Sequence, residues 1–291
     1  MYKNQSVYFG KKRVICFYSK YQNNGVVIER PSRLIAFITE CFNIGKNLSV
    51  LWYPFILVKN QFSRDDFKTV YSKFNSPIFS LDCGRKCSPH NDWGIPFCCD
   101  ISHAVPTAYS AEWEYLRSET NLWHLWESER SVETTSLQAE TPDGQVLIAC
   151  LGHHYCQREF RSITCRAFPF FPYITSAGEF IGLSYYWEYE ERCWVISQLQ
   201  QVTDQYRGQF ITVYEYIFEH MPQELENFRF HSQMMRKIFK NKRRAIPLLH
   251  RNGKAYKITP NNERLRRKDI TTFPKFGPYA IIDLLPFPEE V

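Results

Sequence analysis

Between Cys83 and Cys99 the chain reads Cys83-Gly84-Arg85-Lys86-Cys87, ten further residues, then Cys98-Cys99, and the stretch up to Pro106 also holds Gly84, Pro89, Gly94, Pro96 and Pro106. Glycine and proline at this density disfavour helix and central strand alike, so the segment is expected to ride on turns and to need a staple from outside the backbone. Thiols can supply it. Cys150, Cys156, Cys165 and Cys193 follow, giving eight cysteines between positions 83 and 193. A vicinal pair and a Cys-x3-Cys in one polar loop point to ligation of a soft metal more than to a set of inert buried cysteines.

Thiolates select Zn²⁺, iron-sulfur clusters or Cu(I) over Mg²⁺ and Ca²⁺. Four complete one tetrahedral ion or one [4Fe-4S] cluster, so eight allow two such sites, or one site and four thiols with other work. The candidate metal ligands are therefore Cys83, Cys87, Cys98, Cys99, Cys150, Cys156, Cys165 and Cys193. Side chains of adjacent residues in extended chain point apart, so Cys98 and Cys99 are expected to serve different sites, or only one of them to bind. His153 and His154 lie between two candidate ligands, and they are read as surface residues or as hydrogen-bond partners of a ligand rather than ligands themselves. His90 and His103, flanking the first cluster, are read the same way.

Compartment decides between metal and disulfide. The start, Met1-Tyr2-Lys3-Asn4-Gln5-Ser6, lacks the pattern of a secretory signal, and the longest apolar run, 50–58 with Pro54 inside it, is too short to cross a bilayer. A cytoplasmic protein with no membrane span is expected, where close-set thiols stay reduced and bind metal. Cys16 and Cys41 sit on apolar faces and are read as small hydrophobes outside the site.

With 291 residues, 44% hydrophobic, the chain can bury a sizeable core. The pattern predicts an α+β protein in three parts: a small N-terminal α/β unit (1–80), an irregular, metal-stapled cysteine domain (81–195), and a helical, basic C-terminal region (196–291). In the first part, strands are expected at 14–18, 26–29 and 50–58. One helix is expected over 34–42, and a second after Ser63, capped by Ser63 with Asp66 three residues on. In the second, Ser110 is expected to cap a helix with Trp113, Leu116 and Leu122 inward, and the spacing of Trp113, Trp123 and Trp126 suits a helix core. Residues 127–144 read as a surface excursion, 145–149 as a strand delivering Cys150, 166–172 as extended chain and 180–189 as a strand. In the third, helices are expected over 195–220 and 224–240, separated at Met221-Pro222, with a last strand at 280–285.

The thiol pattern resembles a known family. Cys83-x3-Cys87, Cys98-Cys99, a capped helix with Glu112, Cys150-Leu151-x4-Cys156 and Arg161-x3-Cys165-Arg166-x-Phe168-Pro169-Phe170 together are similar to the YkgJ-type cysteine-cluster proteins, described as zinc- or iron-chelating. In that family an Arg-Pro pair usually precedes the last Cys-Arg, where this chain has Arg161-Ser162. The resemblance implies a metal centre over residues 81–195 and makes Arg166 a candidate to brace it. One branch of the family is similar to the flagellin lysine methylases, which implies an iron-sulfur cluster, use of S-adenosylmethionine and a protein substrate. The chain has no Gly-x-Gly-x-x-Gly loop and no Cys-x3-Cys-x2-Cys triad of its own to support a methyl donor. The leading expectation is thus an enzyme modifying a protein or peptide by redox or methyl-transfer chemistry around an iron-sulfur cluster. Its rival is a non-catalytic Zn²⁺-stapled binding module or metal carrier.

Charge is uneven. Residues 229–268 hold fourteen Lys or Arg against the single acid Glu263, while the formal net charge of the whole chain is +6. The run from Arg236, Lys237, Lys240, Lys242, Arg243 and Arg244 to Arg264, Arg266, Arg267 and Lys268 admits three readings. These are nucleic-acid binding with Phe228, Phe230 and Tyr256 as stacking groups, docking of an acidic protein or peptide, and a solvated helix end. The last is preferred, with nucleic acid not favoured.

Overall fold

The computed structural model describes residues 13–15, 62–129 and 131–282. The strands expected at 26–29 and 50–58, the helix over 34–42, Cys16 and Cys41 lie outside them. What is described belongs to one compact unit of the α+β class.

The first sheet has strand order β1-β2-β4-β3. Strand β1 (Arg13–Ile15) runs parallel to β2 (Ala104–Tyr109), whereas β4 (Gln145–Cys150) is antiparallel to both β2 and β3 (Trp123–Leu125). A central strand therefore does form in the Gly/Pro-rich stretch, against expectation. Every residue of β2 is buried; Pro106 stands opposite Ile15 of β1, and the pairing with β4 begins at Thr107.

Helix α1 (Arg64–Lys73) starts as its sequence dictates: Ser63 Oγ accepts from Asp66 N at 3.3 Å and Asp66 Oδ2 accepts from Ser63 N at 2.7 Å. The helix buries Phe67, Val70 and Tyr71. Next come the single turn α2 (Gly84–Cys87) and two 3-10 turns, Ser88–His90 and Phe97–Cys99. Helix α3 (Ser110–Glu119) begins at Ser110 itself, one residue earlier than a Ser110 cap would place it. The free N–H of Tyr109 is met by Glu112, while Ser110 Oγ donates to Gly144 O. Trp123 lies in β3 and Trp126 just beyond it, so the three tryptophans do not share a helix face. The excursion over 127–144 contains α4 (Ser131–Glu140), which buries Leu137.

Helix α5 (Ile163–Ala167) precedes the second sheet, antiparallel throughout, of order β5-β6-β7-β8-β9. Strands β5 (Phe170–Ile174) and β6 (Phe180–Tyr185) come before the short α6 (Trp194–Ser197) and the long helices α7 (Asp204–His220) and α8 (Pro222–Asn241). Pro222 sits at the first helical position of α8, where its missing N–H costs nothing. The same sheet then gains β7 (Ile246–His250), β8 (Ala255–Ile258) and β9 (Leu265–Arg267). The C-terminal region is thus not purely helical. Among the described residues the last element, α9 (Tyr279–Ile282), is a turn of helix where the expected strand over 280–285 would begin; 283–285 lie outside them.

One core runs through Phe67 and Tyr71 of α1, Phe170 and Tyr173 of β5, Phe210 and Tyr214 of α7, and Phe228 and Phe239 of α8, all 4% exposed or less. Helix α8 is tied to the sheet by Ser232 Oγ, which accepts from Ile174 N at 2.9 Å. Among the described residues no helix is long and apolar enough to cross a membrane.

Candidate metal centre

Six segments carry the eight thiols. Cys83 precedes α2 and Cys87 ends it, with the Cys87 thiol donating to Gly84 O at 3.6 Å. Gly84 is needed where it is: a Cβ there would stand 2.9 Å from Pro96 Cγ, and this close approach seats α2 against the turn that carries Cys98 and Cys99. That turn closes through Cys99 N donating to Pro96 O at 2.8 Å. The loop between is knotted by buried Asp100, whose Oδ2 accepts from Asn91 Nδ2 at 3.0 Å and whose Oδ1 accepts from Ser102. Strand β4 delivers Cys150, after which Gly152 at φ 104° turns the chain toward Cys156. Cys165 lies in α5, capped by Ser162, and buried Cys193 precedes α6.

All eight are free thiols. Burial is the main force that pushes Cys83 and Cys165 up to about 12, and it raises Cys87, Cys150 and Cys193 as well. Mutual repulsion adds to it. Cys83 feels Cys87 and Cys99, Cys150 feels Cys99 and Cys156, Cys165 feels Cys150 and Cys99, and Cys193 feels Cys83 and Cys87. The thiols therefore make one electrostatic neighbourhood, in which a cation favours the thiolates, as the Arg161 charge already does for Cys83, Cys99 and Cys165.

Cys98 and Cys99 do not point apart. Their sulfurs lie 3.9 Å from each other because the 3-10 turn replaces the extended backbone that would have separated them. The S–H···S contact between them holds Cys99 below the ordinary thiol value and pushes Cys98 well above it. Two thiolates on one tetrahedral Zn²⁺ at about 2.3 Å would stand roughly 3.8 Å apart, so this pair fits a single ion. Beyond it, no three His, Cys, Asp or Glu side chains among the described residues are arranged to hold a metal ion. The donor chemistry fits a thiolate-bound metal; apart from Cys98 and Cys99, the sulfurs are neighbours rather than a closed shell.

Two arginines organise the site. Arg161 Nε donates to Cys156 Sγ at 3.0 Å. Burial works against its charge, yet the hydrogen bond to Cys156 and the thiolates of Cys165 and Cys99 raise its pKa. Buried Arg166 is a brace whose donors go to oxygens rather than to sulfur. It donates to Arg161 O at 2.9 Å, Tyr71 O at 3.3 Å, Phe74 O, Asn75 Oδ1 at 2.9 Å and Glu159 O at 2.5 Å, with its guanidinium 4.2 Å over the Tyr71 ring. It joins the end of α1 to the loop that bears Cys156.

Glu112, fully buried, is the hub behind α5. Its carboxylate accepts from Tyr71 Oη at 2.8 Å, Ile163 N at 2.6 Å and Tyr109 N at 3.2 Å, so it fixes the start of the helix that carries Cys165. Burial raises its pKa to about 7 despite these hydrogen bonds and the Arg166 charge. His153 and His154 occupy a 3-10 turn with ring centroids 3.8 Å apart, His154 exposed. His90 packs edge-on against Tyr279, and His103 lies 3.6 Å from Asp100.

The basic C-terminal region is partly consumed by the fold. Arg236 pairs with Glu263 at 2.8 Å and donates to Tyr173 Oη and Ile174 O, and Arg244 grips Glu190 bidentately at 2.7 and 2.8 Å. Lys237, Lys240, Lys242 and Arg243 stay exposed, as do Arg264, Arg266, Arg267 and Lys268 on and around β9.

No family model, curated protein or solved structure matches this chain. The likeness to YkgJ-type proteins consequently rests on the motif residues themselves.

Proposed function

We propose that the chain is a thiolate-ligated metal protein, with donors drawn from Cys83, Cys87, Cys98, Cys99, Cys150, Cys156, Cys165 and Cys193, and an iron-sulfur cluster as the expected occupant. The observation that carries this reading is the gathering of eight free thiols from six chain segments into one electrostatic neighbourhood, with the Arg161 guanidinium on the Cys156 sulfur. Such a cluster, when bound, supplies one-electron chemistry. The protein's own part is to hold and tune it. Arg161 offsets thiolate charge through its N–H···S bond, Arg166 and Glu112 fix the segments that bear Cys156 and Cys165, and burial of Cys87 and Cys193 keeps water from that side.

An enzyme, rather than a staple, is supported by the cavity that opens onto Cys83 and Cys165. A purely structural site needs no such space. Modification of a protein or peptide, by redox chemistry or by methyl transfer from S-adenosylmethionine, follows from the family resemblance and is part of the proposal. A second reading, a Zn²⁺-stapled binding module, has the 3.9 Å Cys98–Cys99 spacing in its favour.

Anaerobic purification with visible absorption and with iron, sulfide and zinc analysis separates them. Charge-transfer bands with matching iron and acid-labile sulfide are expected, and they should be lost in Cys83→Ser and Cys165→Ser. A colourless protein with stoichiometric zinc would establish the second reading, and a protein with neither metal would end both.

A further inference from the structure

A cavity of ≈ 320 Å³ lies beside the thiols, formed by the chain from Phe74 to Cys83 together with Arg158, Arg161, Cys165 and Arg166. That is near the lower end of the roughly 300–1,000 Å³ typical of small-molecule sites. Its apolar side is made by Phe74, Pro77, Ile78 and Phe79. Its charge is unbalanced: three guanidiniums line it against one carboxylate, Asp82, whose Oδ1 already accepts from Gly84 N at 2.9 Å.

Arg166 is spent on carbonyl and amide oxygens and acts as wall. Arg158 and Arg161 are not. Each uses only its Nε, Arg158 on Asn75 O at 3.3 Å and Arg161 on Cys156 Sγ at 3.0 Å, and neither has a carboxylate partner among the described residues. The terminal nitrogens of both are left without a hydrogen-bond partner among those residues. On the same wall Ser76 is buried with its Oγ unpartnered, an orphan hydroxyl of the kind a bound molecule can satisfy.

We propose that this cavity binds a small organic anion, a carboxylate or phosphate on an apolar body, with the anionic end held between Arg158 and Arg161 and the body against Phe74, Pro77 and Ile78. Paired guanidinium forks fit planar or tetrahedral oxyanions, and a partly enclosed site strengthens the contact. The ligand would lie next to Cys83 and Cys165, which makes it a candidate substrate or co-substrate of the thiol centre. Binding itself does not depend on what the thiols hold.

The alternative is that Arg158 and Arg161 serve only to neutralise thiolates, so the test reads binding and metal content separately. Titration calorimetry on the full-length protein at low salt would use benzoate, phenyl phosphate and neutral benzamide as probes. Benzoate or phenyl phosphate should bind while benzamide does not, and whichever anion binds more tightly identifies the head group. Exposed Arg158→Gln should weaken that binding at least tenfold, with unchanged metal content and circular dichroism; Arg161→Gln should reduce binding and metal together. Failure of both anions to bind, equal binding of benzamide, or an Arg158→Gln protein that loses metal but keeps anion affinity would overturn the proposal.

Discussion

Two buried titratable side chains pull the pH dependence of stability in opposite directions. The folded pKa of Glu112, about 7, lies above its ordinary value of 4.5, so the folded state retains a proton that the unfolded chain releases. Its contribution is greatest below about pH 4.5 and declines as pH rises toward 7, by on the order of 3 kcal/mol over the window. Glu112→Gln should remove this slope, so the melting temperature of the wild type minus that of the variant should fall steadily from pH 4.5 to 7. A constant difference would place the shift elsewhere. His231 behaves in the opposite sense. Buried among Trp187, Phe171 and Tyr186 with Nε2 unpartnered, it is lowered from 6.5 to about 3 by burial alone. Stability from the neutral ring is complete above about pH 6.5 and is lost as pH falls toward 3. His231→Phe keeps the aromatic packing and removes the orphan nitrogen, so urea unfolding should show a gain of about 1 kcal/mol at pH 7.5 and a larger one at pH 5. A variant no more stable at pH 5 than at 7.5 would contradict this.

Among the elements, Arg166 ties α1 to the cysteine-bearing loop before α5 by donating to Tyr71 O, Phe74 O and Glu159 O together. Arg166→Ala should cost about 3 kcal/mol or more by leaving buried carbonyls unpaired, and Arg166→Lys should recover only a fraction because an ammonium cannot span the fork. Equal denaturation midpoints for Lys and Arg would show that charge, not geometry, matters there. Helix α1 was legible because Ser63 and Asp66 form a local device, and α7 and α8 because apolar spacing repeats over several turns. Strands β7 to β9 were hidden by the charge of the region, although Arg251-Asn252-Gly253-Lys254 is a hairpin signal, with Gly253 at φ 84°. Strand β2 was hidden by Pro106 and by a pairing partner, β1, that lies far earlier in the chain. The cavity could not be read at all, since Ser76 and Arg158 meet only through the fold.

At the scale of the molecule, cysteine count and spacing single out the thiols from 83 to 193 as candidates, but they could not show that Cys98 and Cys99 stand side by side, which depends on a local turn. The same fold limits how far metal and structure are coupled. Residues 104–109 and 163–174 have ladder bonds and anchors of their own, among them Thr164 Oγ1 to Thr107 O at 2.7 Å and Ile163 N to Glu112 at 2.6 Å, so they should survive loss of metal. Residues 83–103 and 151–161 hold mainly single-turn bonds plus the Asp100 knot and the Arg166 brace. With a metal bound as proposed, thiolate coordination, on the order of 10 kcal/mol for structural zinc, would offset the entropy of ordering these two loops. Each carries an exposed aromatic, Trp93 at 76% and Tyr155 at 67%, where chymotrypsin can cut once the surrounding chain opens. Chelation or oxidative loss of the centre should therefore accelerate cleavage at Trp93 and Tyr155 more than tenfold, while cleavage within α7 and α8 stays slow; mass spectrometry of early fragments reads this directly. Simultaneous cleavage everywhere would mean that the metal holds the whole unit together. Unchanged resistance at both sites would mean that the thiols do not hold these loops, and that whatever they bind serves reactivity alone.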